Sequence, residues 1–173
     1  MKQIFLCLAC LAWAVSGFAQ TLVPHKKWGL TWSVPKNWVK SAIGADGFKF
    51  ASPKNDNELT IFTFAQFSDS KKNEEAILKF FNEEVDYQGN FTDLQGEMAK
   101  MSLNGLSVQV YEDDEEPDLE EAEDPEDYEG YWSKVIVFTH EKRTVIIYLS
   151  EIYNKRRKSE KLFDSIYKTI KQG

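Results

Sequence analysis

The densest group of chemically active side chains in the sequence is an acidic segment. Residues 112–129 contain thirteen Asp and Glu residues and no Lys or Arg. Carboxylates at this density repel one another and favour a solvated loop, but hard oxygen ligands also suit calcium. The spacing does not fit an EF-hand loop, which needs a glycine at its sixth position and a glutamate at its twelfth. The sequence therefore predicts weak calcium binding at most, with these candidate ligands: Asp113, Asp114, Glu115, Asp118, Glu120, Glu121, Glu123 and Asp124.

A run of four cations lies at the start of the last predicted helix. It consists of Lys155, Arg156, Arg157 and Lys158. Cations in a first helical turn oppose the helix dipole, so either the helix starts near Ser159 or the run has another purpose. Two interpretations stay open: a solvated turn, and a patch that recognises anions on the acidic segment, on a lipid or on an acidic partner.

Catalytic signatures are weak throughout the sequence. The histidines are His25, in a polar N-terminal stretch, and His140, beside Glu141 at a predicted hairpin tip. A catalytic histidine needs an orienting carboxylate and a nucleophile or water in a cleft, and a hairpin tip is a poor cleft. The sequence contains no Gly-x-Ser-x-Gly, His-Glu-x-x-His or phosphate-cradling glycine motif. We expect a non-enzymatic protein without a cofactor, and a hydrolase that uses His140 is the alternative.

The tryptophans divide by position. Trp28, Leu30 and Trp32 occupy every second position of a predicted strand and so share one face. Both tryptophans are therefore expected in the core. Trp38 and Trp132 lie near element ends, so we expect them to be partly exposed. Together with the four cations at 155–158, they are the predicted partner-binding residues.

The first nineteen residues have the pattern of a cleavable signal peptide. Lys2 precedes an apolar stretch, and small residues at Gly17 and Ala19 fit a signal peptidase site after Ala19. The apolar stretch is shorter than the roughly 20 residues of a membrane span. Lipidation at Cys10 is the alternative, because Leu8-Ala9-Cys10 resembles the end of a lipobox, although the apolar core before it is short. We expect export to the periplasm or exterior, with no transmembrane segment after cleavage.

Export constrains the rest of the chain, which is predicted as a single domain over residues 20–173. Cys7 and Cys10 both lie in the leader, so the mature domain is expected to lack disulfides and thiol chemistry. The formal net charge of −7 and the exported location argue against nucleic acid as a partner.

Hydrophobic periodicity places the secondary structure. Apolar residues alternate in predicted strands, and Ile77, Phe81 and Val85 share one face of a helix that Gly89 and Asn90 close. Asn104-Gly105 is a strong hairpin turn signal. The predicted strands cover 28–34, 48–50, 59–67, 97–103, 106–111, 131–140 and 143–150, and a last amphipathic helix carries Leu162, Phe163, Ile166, Tyr167 and Ile170. This order predicts an α+β domain with an antiparallel sheet of about six or seven strands flanked by helices.

The same features resemble a known superfamily. A Pro-x-x-Trp at Pro35 to Trp38 follows the first strand, the Asn104-Gly105 hairpin precedes the late strands, and an amphipathic helix closes the chain. Over nearly the whole mature chain this pattern resembles the PsbP/Mog1-like superfamily. The resemblance implies an α/β/α sandwich that binds other proteins rather than catalysing. The superfamily has no common active site, and the acidic segment departs from its pattern, so the resemblance assigns no site residues.

These observations lead to two functional hypotheses. The first is an exported, non-enzymatic accessory or binding domain of the cell envelope, which holds a protein or small ligand on a sheet face or hairpin edge. The second is a module that responds to cations or binds a basic partner through the acidic segment.

Overall fold

The computed structural model describes residues 20–25, 29–43, 47–53, 58–115, 130–152 and 155–172. The predicted signal peptide with Cys10, the predicted core residue Trp28 and residues 116–129 of the acidic segment lie outside these ranges.

Ten strands and three helices make up the described part of the chain. The helices are α1 (Ser70–Glu84), α2 (Phe91–Glu97) and α3 (Arg156–Tyr167). The strands are β1 (Gln20–His25), β2 (Leu30–Pro35), β3 (Val39–Ile43), β4 (Gly47–Ala51), β5 (Glu58–Ala65), β6 (Ala99–Leu103), β7 (Leu106–Glu115), β8 (Tyr131–His140), β9 (Arg143–Ile152) and β10 (Lys171–Gln172). Seven of them form one antiparallel sheet in the order β3-β4-β5-β9-β8-β7-β6, and a small sheet has the order β1-β2-β10.

The β8–β9 hairpin lies at the centre of the large sheet because its side chains are apolar on both faces. Seven consecutive residues of β8, 132–138, are buried. Alternate residues of a strand point to opposite faces, so Ile136 packs in one core cluster and Val135 and Val137 in the other. A strand of this kind is stable only between two covering layers.

Each face of the sheet has its own cover. On one, which we call the α1 face, Phe80 and Phe81 of α1 and Leu94 of α2 pack with Val135 and Ile146. On the other, the α3 face, Phe163 and Ile166 of α3 and Trp32 of the small sheet pack with Trp132 and Ile147. The predicted α+β architecture, with an antiparallel sheet between helical layers, is confirmed.

The structure corrects the predicted boundaries around α1 and α2. α1 ends at Glu84, and Asp86 adopts a positive φ of 55° just beyond it. Asn90 does not close this helix but caps the next one, because its Oδ1 accepts hydrogen bonds from the backbone N–H groups of Thr92 and Asp93 at 2.9 and 3.1 Å. Glu97, which was predicted in a strand, is the last residue of α2.

Further boundaries differ at the charged segments. α3 begins at Arg156 rather than near Ser159, so the cations do occupy its first turn. β7 continues to Glu115, four residues into the predicted acidic loop, because each of these residues pairs with β8. Glu112 lies opposite Lys134, where an opposite charge stabilises the cross-strand pair. Strands β1, β3 and β10 were not predicted.

Candidate functional site

The α1 face is not covered along its whole width. Beside the first half of α1 an open groove of about 520 Å³ lies on the sheet. It is lined by Gln66, Asn73, Ile77, Lys100, Ser107, Gln109, Val137, Phe138, Thr139 and Thr144. The groove therefore combines the connection after β5, one side of α1 and the surface of β6 to β9.

The sheet register explains how polar and apolar residues are arranged on the groove floor. Lys100 of β6 pairs with Gln109 of β7, and Gln109 pairs with Val137 of β8. Val137 is 4 % exposed, whereas Lys100 on the edge strand is exposed. Thr139 and Thr144 form a further cross-strand pair on the same face. The floor is thus apolar at Val137 and polar both towards the β6 edge and at the Thr139–Thr144 pair.

Hydrogen bonds fix the wall at the β5–α1 connection. Asn73 of α1 accepts from the backbone N–H of Phe67 at 2.8 Å and donates to the Phe67 carbonyl at 2.9 Å. Gln66 Nε2 donates to Thr139 Oγ1 at 3.0 Å, and its backbone N–H donates to the Lys142 carbonyl at 2.9 Å. The hydrogen bonds of Asn73 position the start of α1. The hydrogen bond of Gln66 attaches the same connection to β8, so the wall of the groove is fixed relative to its floor.

The lining offers hydrogen bonds and one positive charge. Among the described residues that line the groove, Lys100 is the charged one, and no carboxylate or imidazole is present. The hydroxyl groups of Ser107, Thr139 and Thr144 consequently lie beside amides rather than beside a general base. This arrangement suits binding.

The α3 face carries a second polar group, which we call the Lys134 cluster: Lys134, Glu112, Asp114, Arg156 and Asp164. The side chain of Lys134 is 10 % exposed and its Nζ lies 3.1 Å from Glu112 Oε2 and 3.7 Å from Asp164 Oδ1. Glu112 also forms an ion pair with Arg156 at 3.3 Å, and Arg156 a second with Asp114. The cluster joins α3 to β7 and β8.

Trp132 belongs to this region and corrects a prediction. It is 0 % exposed, so the expectation of a partly exposed, partner-binding Trp132 is wrong. Its indole Nε1 donates to Glu112 Oε1 at 2.9 Å, which satisfies the polar group of an otherwise apolar side chain under α3. A tryptophan near a strand end is buried here because a helix from the far end of the chain covers it.

The surroundings of Glu112 shift the pKa of its carboxyl group in opposite directions. Burial raises its pKa, but hydrogen bonds from Trp132 and Lys134 and the charges of Lys134 and Arg156 outweigh burial, and the net pKa is lowered. Glu112 is therefore held as a carboxylate.

The four predicted cations differ in their contacts. Lys155 lies 3.8 Å from Glu151, and Arg156 binds Glu112 and Asp114. Arg157 and Lys158 are exposed on the surface of α3. Half of the run thus attaches the start of α3 to the sheet, which explains why cations are tolerated in that turn.

The predicted calcium ligands fall into two groups. Asp113, Asp114 and Glu115 alternate along β7, so Asp114 lies on the α3 face and the other two on the α1 face. Asp113 accepts a hydrogen bond from the Tyr131 hydroxyl at 2.9 Å; burial and this bond raise the pKa of Tyr131 to about 12. Within the described ranges no cluster of three or more metal-ligating side chains is present. Asp118, Glu120, Glu121, Glu123 and Asp124 lie outside those ranges.

His140 and Trp38 both lie at junctions between the two sheets. His140 Nε2 is 3.2 Å from the Gly29 carbonyl and 4.0 Å from Glu141 Oε1, so the imidazole ties the β8–β9 tip to the start of β2. Trp38 is half-buried against the α3-face core, and its backbone N–H donates to the Pro35 carbonyl at 3.1 Å. The Pro-x-x-Trp motif is thus a turn, beside which Val39 is 64 % exposed.

Comparison with known proteins identifies the fold. No protein-family model and no curated protein matches the sequence. Cyanobacterial PsbP (CyanoP) from Synechocystis sp. PCC 6803 has a similar structure, with a TM-score of 0.58 and 13 % identity over 92 % of this chain and 95 % of that protein. The Ran-binding protein Mog1p of Saccharomyces cerevisiae gives a TM-score of 0.51 and 10 % identity over 90 % and 96 %. The chain has a PsbP/Mog1-like fold.

A third similar structure is larger. A Bacteroides thetaiotaomicron VPI-5482 protein gives a TM-score of 0.53 and 11 % identity, and the alignment covers 89 % of this chain but 48 % of that protein. The present chain thus spans about half the length of that protein. In the described part of this PsbP/Mog1-like fold, none of the helices is long and apolar enough to cross a membrane.

Sequence reasoning missed the groove residues. On β7, Leu106 and Val108 are buried, whereas the alternate residues Ser107 and Gln109 lie on the opposite face and line the groove. The available signal was the polar residues Thr139 and Thr144 at the ends of strands that are otherwise apolar on both faces. The sheet register of this PsbP/Mog1-like fold places both residues on one face, and the sequence alone does not give that register.

Proposed function

We propose that this chain is an exported, non-enzymatic binding or accessory domain of the cell envelope or exterior, and that the groove on the α1 face is its binding surface. The observation that carries the proposal is the lining of the groove. Polar side chains from β7, β8 and β9 face one space beside α1, at a place where the sheet face is elsewhere closed by apolar packing.

The energetics of packing support a binding role. A protein interior is close-packed, and apolar side chains at these positions would extend the core cluster under α1. Instead, the chain places hydroxyl and amide groups there and holds the β5–α1 connection by the hydrogen bonds of Asn73 and Gln66. A preformed concave surface with a few polar groups is the usual form of a ligand site.

Two further observations support the biological setting. The predicted leader at 1–19 supports export. Mog1p, one of the proteins of similar fold, is a Ran-binding protein, which supports the view that this fold serves binding.

The test is site-specific photocrosslinking in the native envelope. A photoreactive residue replaces Gln109 in the groove, and a matched control replaces Lys79, which is 71 % exposed on α1. We expect a discrete adduct at position 109 that mass spectrometry identifies and that position 79 does not give. Equal labelling at both positions, or none at 109, would contradict the proposal.

A second candidate function uses the acidic segment. Its first residues already bind cationic groups of this chain, since Glu112 contacts Lys134 and Arg156. We propose as the alternative that the segment binds a basic partner or divalent cations. Because β7 runs to Glu115, the deletion that tests this must spare the strand and remove residues 117–128. Unchanged partner capture and unchanged calorimetric titration with millimolar calcium would refute the alternative.

A further inference from the structure

We propose that the groove takes a small polar ligand that carries an oxyanion, either a carboxylate or a phosphate ester, and that Lys100 binds this anion. The inference rests on the proposed function and names the chemistry of the ligand at the same surface.

The charge of the lining is the first argument. Lys100 supplies the positive charge, and the lining residues contribute no negative charge. A cationic ligand would therefore meet repulsion, whereas an anion gains a charge-assisted hydrogen bond from the ammonium group. Lysine is a common phosphate ligand because its ammonium acts as a point charge.

The hydrogen-bonding groups that share the groove with Lys100 are the second argument. Lys100 and Gln109 are cross-strand partners, so their side chains start side by side on the same face. Thr139 Oγ1 already accepts a hydrogen bond from Gln66 Nε2, so its own hydroxyl hydrogen is available to another acceptor. Ser107 and Thr144 add two hydroxyl groups to the same space. Such a surface matches a ligand that is rich in acceptor oxygens.

Size and apolar content define the rest of the ligand. The groove volume of about 520 Å³ lies within the range of small-molecule sites and exceeds what inorganic phosphate needs. The lining is mixed, with apolar and polar surface in about equal shares: Ile77 and Val137 face the groove, and Phe138 packs its ring in the core of the α3 face. The ligand body therefore combines hydrogen-bonding groups with C–H surface, as a sugar does.

The experiment compares two probes that differ by the anion. Glucose 6-phosphate and glucose are titrated into the 15N-labelled mature chain and followed by NMR. We expect saturable shifts of the amides of Lys100, Ser107, Gln109 and Thr139 with glucose 6-phosphate, and binding of glucose that is roughly tenfold weaker or absent. Glucuronate replaces the phosphate by a carboxylate and is expected to shift the same amides.

Variants locate the anion. Lys100→Met is expected to weaken glucose 6-phosphate binding by roughly tenfold, while Lys100→Arg retains it because the charge is kept. Lys79→Met, on the exposed surface of α1, is the control and is expected to leave binding unchanged. The urea midpoint of Lys100→Met should equal that of the wild type, because Lys100 is exposed on an edge strand.

The source of the oxyanion is tested separately. Cosedimentation with phosphatidylglycerol vesicles that is lost in Lys100→Met would assign the anion to a lipid headgroup, and binding of glucose 6-phosphate without cosedimentation would assign it to a free ligand. Equal affinity for glucose and glucose 6-phosphate, an unaffected Lys100→Met variant, or the absence of groove shifts with either anion at millimolar concentration would overturn the oxyanion inference. If one of these results is obtained but the photocrosslinked adduct at position 109 still forms, the proposed binding function stands and only the oxyanion inference fails. If no adduct forms at position 109, the binding function and the oxyanion inference both fail.

Discussion

Substitution of Lys134 by methionine probes a buried charge at the centre of the Lys134 cluster. Lys134 is 10 % exposed and is held between Glu112 at 3.1 Å and Asp164 at 3.7 Å. Methionine keeps much of the aliphatic volume and removes the ammonium group. The Lys134→Met variant therefore leaves two carboxylates on the α3 face without their shared cation.

The cost of this substitution follows from what each carboxylate retains. Removing one partner of a buried ion pair costs about 3 to 5 kcal/mol when the other charge is left without compensation. Glu112 keeps the indole hydrogen bond at 2.9 Å and Arg156 at 3.3 Å, and Asp164 keeps Lys168 at 2.7 Å. Since both carboxylates keep a partner, we expect a loss of about 2 to 3 kcal/mol in the free energy of unfolding.

The assay is urea unfolding at neutral pH, combined with a double-mutant cycle. Glu112→Gln keeps an acceptor for Trp132 but removes the charge, so it should cost less in the Lys134→Met background than in the wild type, with a coupling energy of about 1 to 2 kcal/mol. Lys79→Met is the matched control: it breaks an ion pair whose side chains are 71 % and 61 % exposed, and should cost less than about 0.5 kcal/mol.

The pH dependence gives an independent check. The folded pKa of Glu112 is lowered, so its contribution to stability is present above the unfolded value of about 4.3 and is lost as the pH falls through the folded value. In Lys134→Met this carboxylate is easier to protonate, so the penalty should shrink below about pH 4.5. A cost equal to that of Lys79→Met, additive single substitutions, or a penalty that does not change with acid would refute the assignment of a stabilising buried cluster.

Four other substitutions test local contacts. Trp132→Phe should cost about 2 kcal/mol by urea unfolding, since it shrinks a fully buried side chain and removes the donor to Glu112; a cost near zero would contradict its burial. Asn104→Gly keeps the turn with its φ of 48° but loses donation to the carbonyls of Lys168 and Ile170 at 2.9 and 2.7 Å, so we expect a loss of about 1 kcal/mol and faster hydrogen exchange at the end of α3; unchanged exchange would argue against this contact. Asp69→Ala should cost about 1 kcal/mol, because Asp69 caps α1, whereas Ser68→Ala as control should not; equal effects would refute the cap. Tyr131→Phe should leave the absorbance titration unchanged up to about pH 11, because the pKa of Tyr131 is raised to about 12; a lost tyrosinate signal below that pH would contradict it.

Elements with a strong local pattern were predictable from the sequence. The β6–β7 hairpin follows from Asn104-Gly105, both of which have positive φ, and α3 follows from its apolar spacing. α2 was missed because it spans seven residues and includes Gly96, and because Asn90 is equally suited to end one helix or to cap the next. A single local pattern does not separate these two roles.

The sites depend on contacts that the sequence does not display. Lys134 interrupts a β-branched and aromatic run, which signals a special position, but its partners Glu112 and Asp164 come from β7 and α3. The groove likewise combines the β5–α1 connection, α1 and the four strands β6 to β9. Trp132 shows the same limit, because the helix that buries it lies elsewhere in the chain. Long-range register and packing decide these features.

Alternation along β7 separates the two sites physically. Glu112 and Asp114 point to the α3 face and take part in the Lys134 cluster, whereas Gln109 points to the α1 face and lines the groove. Because the sheet lies between them, substitutions on one face are expected to be energetically independent of those on the other. Lys134→Met should therefore lower the free energy of unfolding but leave glucose 6-phosphate binding unchanged at neutral pH without urea. Gln109→Ala should weaken glucose 6-phosphate binding and leave the urea midpoint unchanged. If Lys134→Met weakened binding as strongly as Gln109→Ala in a fully folded sample, the sheet would not insulate its two faces, and the groove would have to be treated as coupled to the packing of α3.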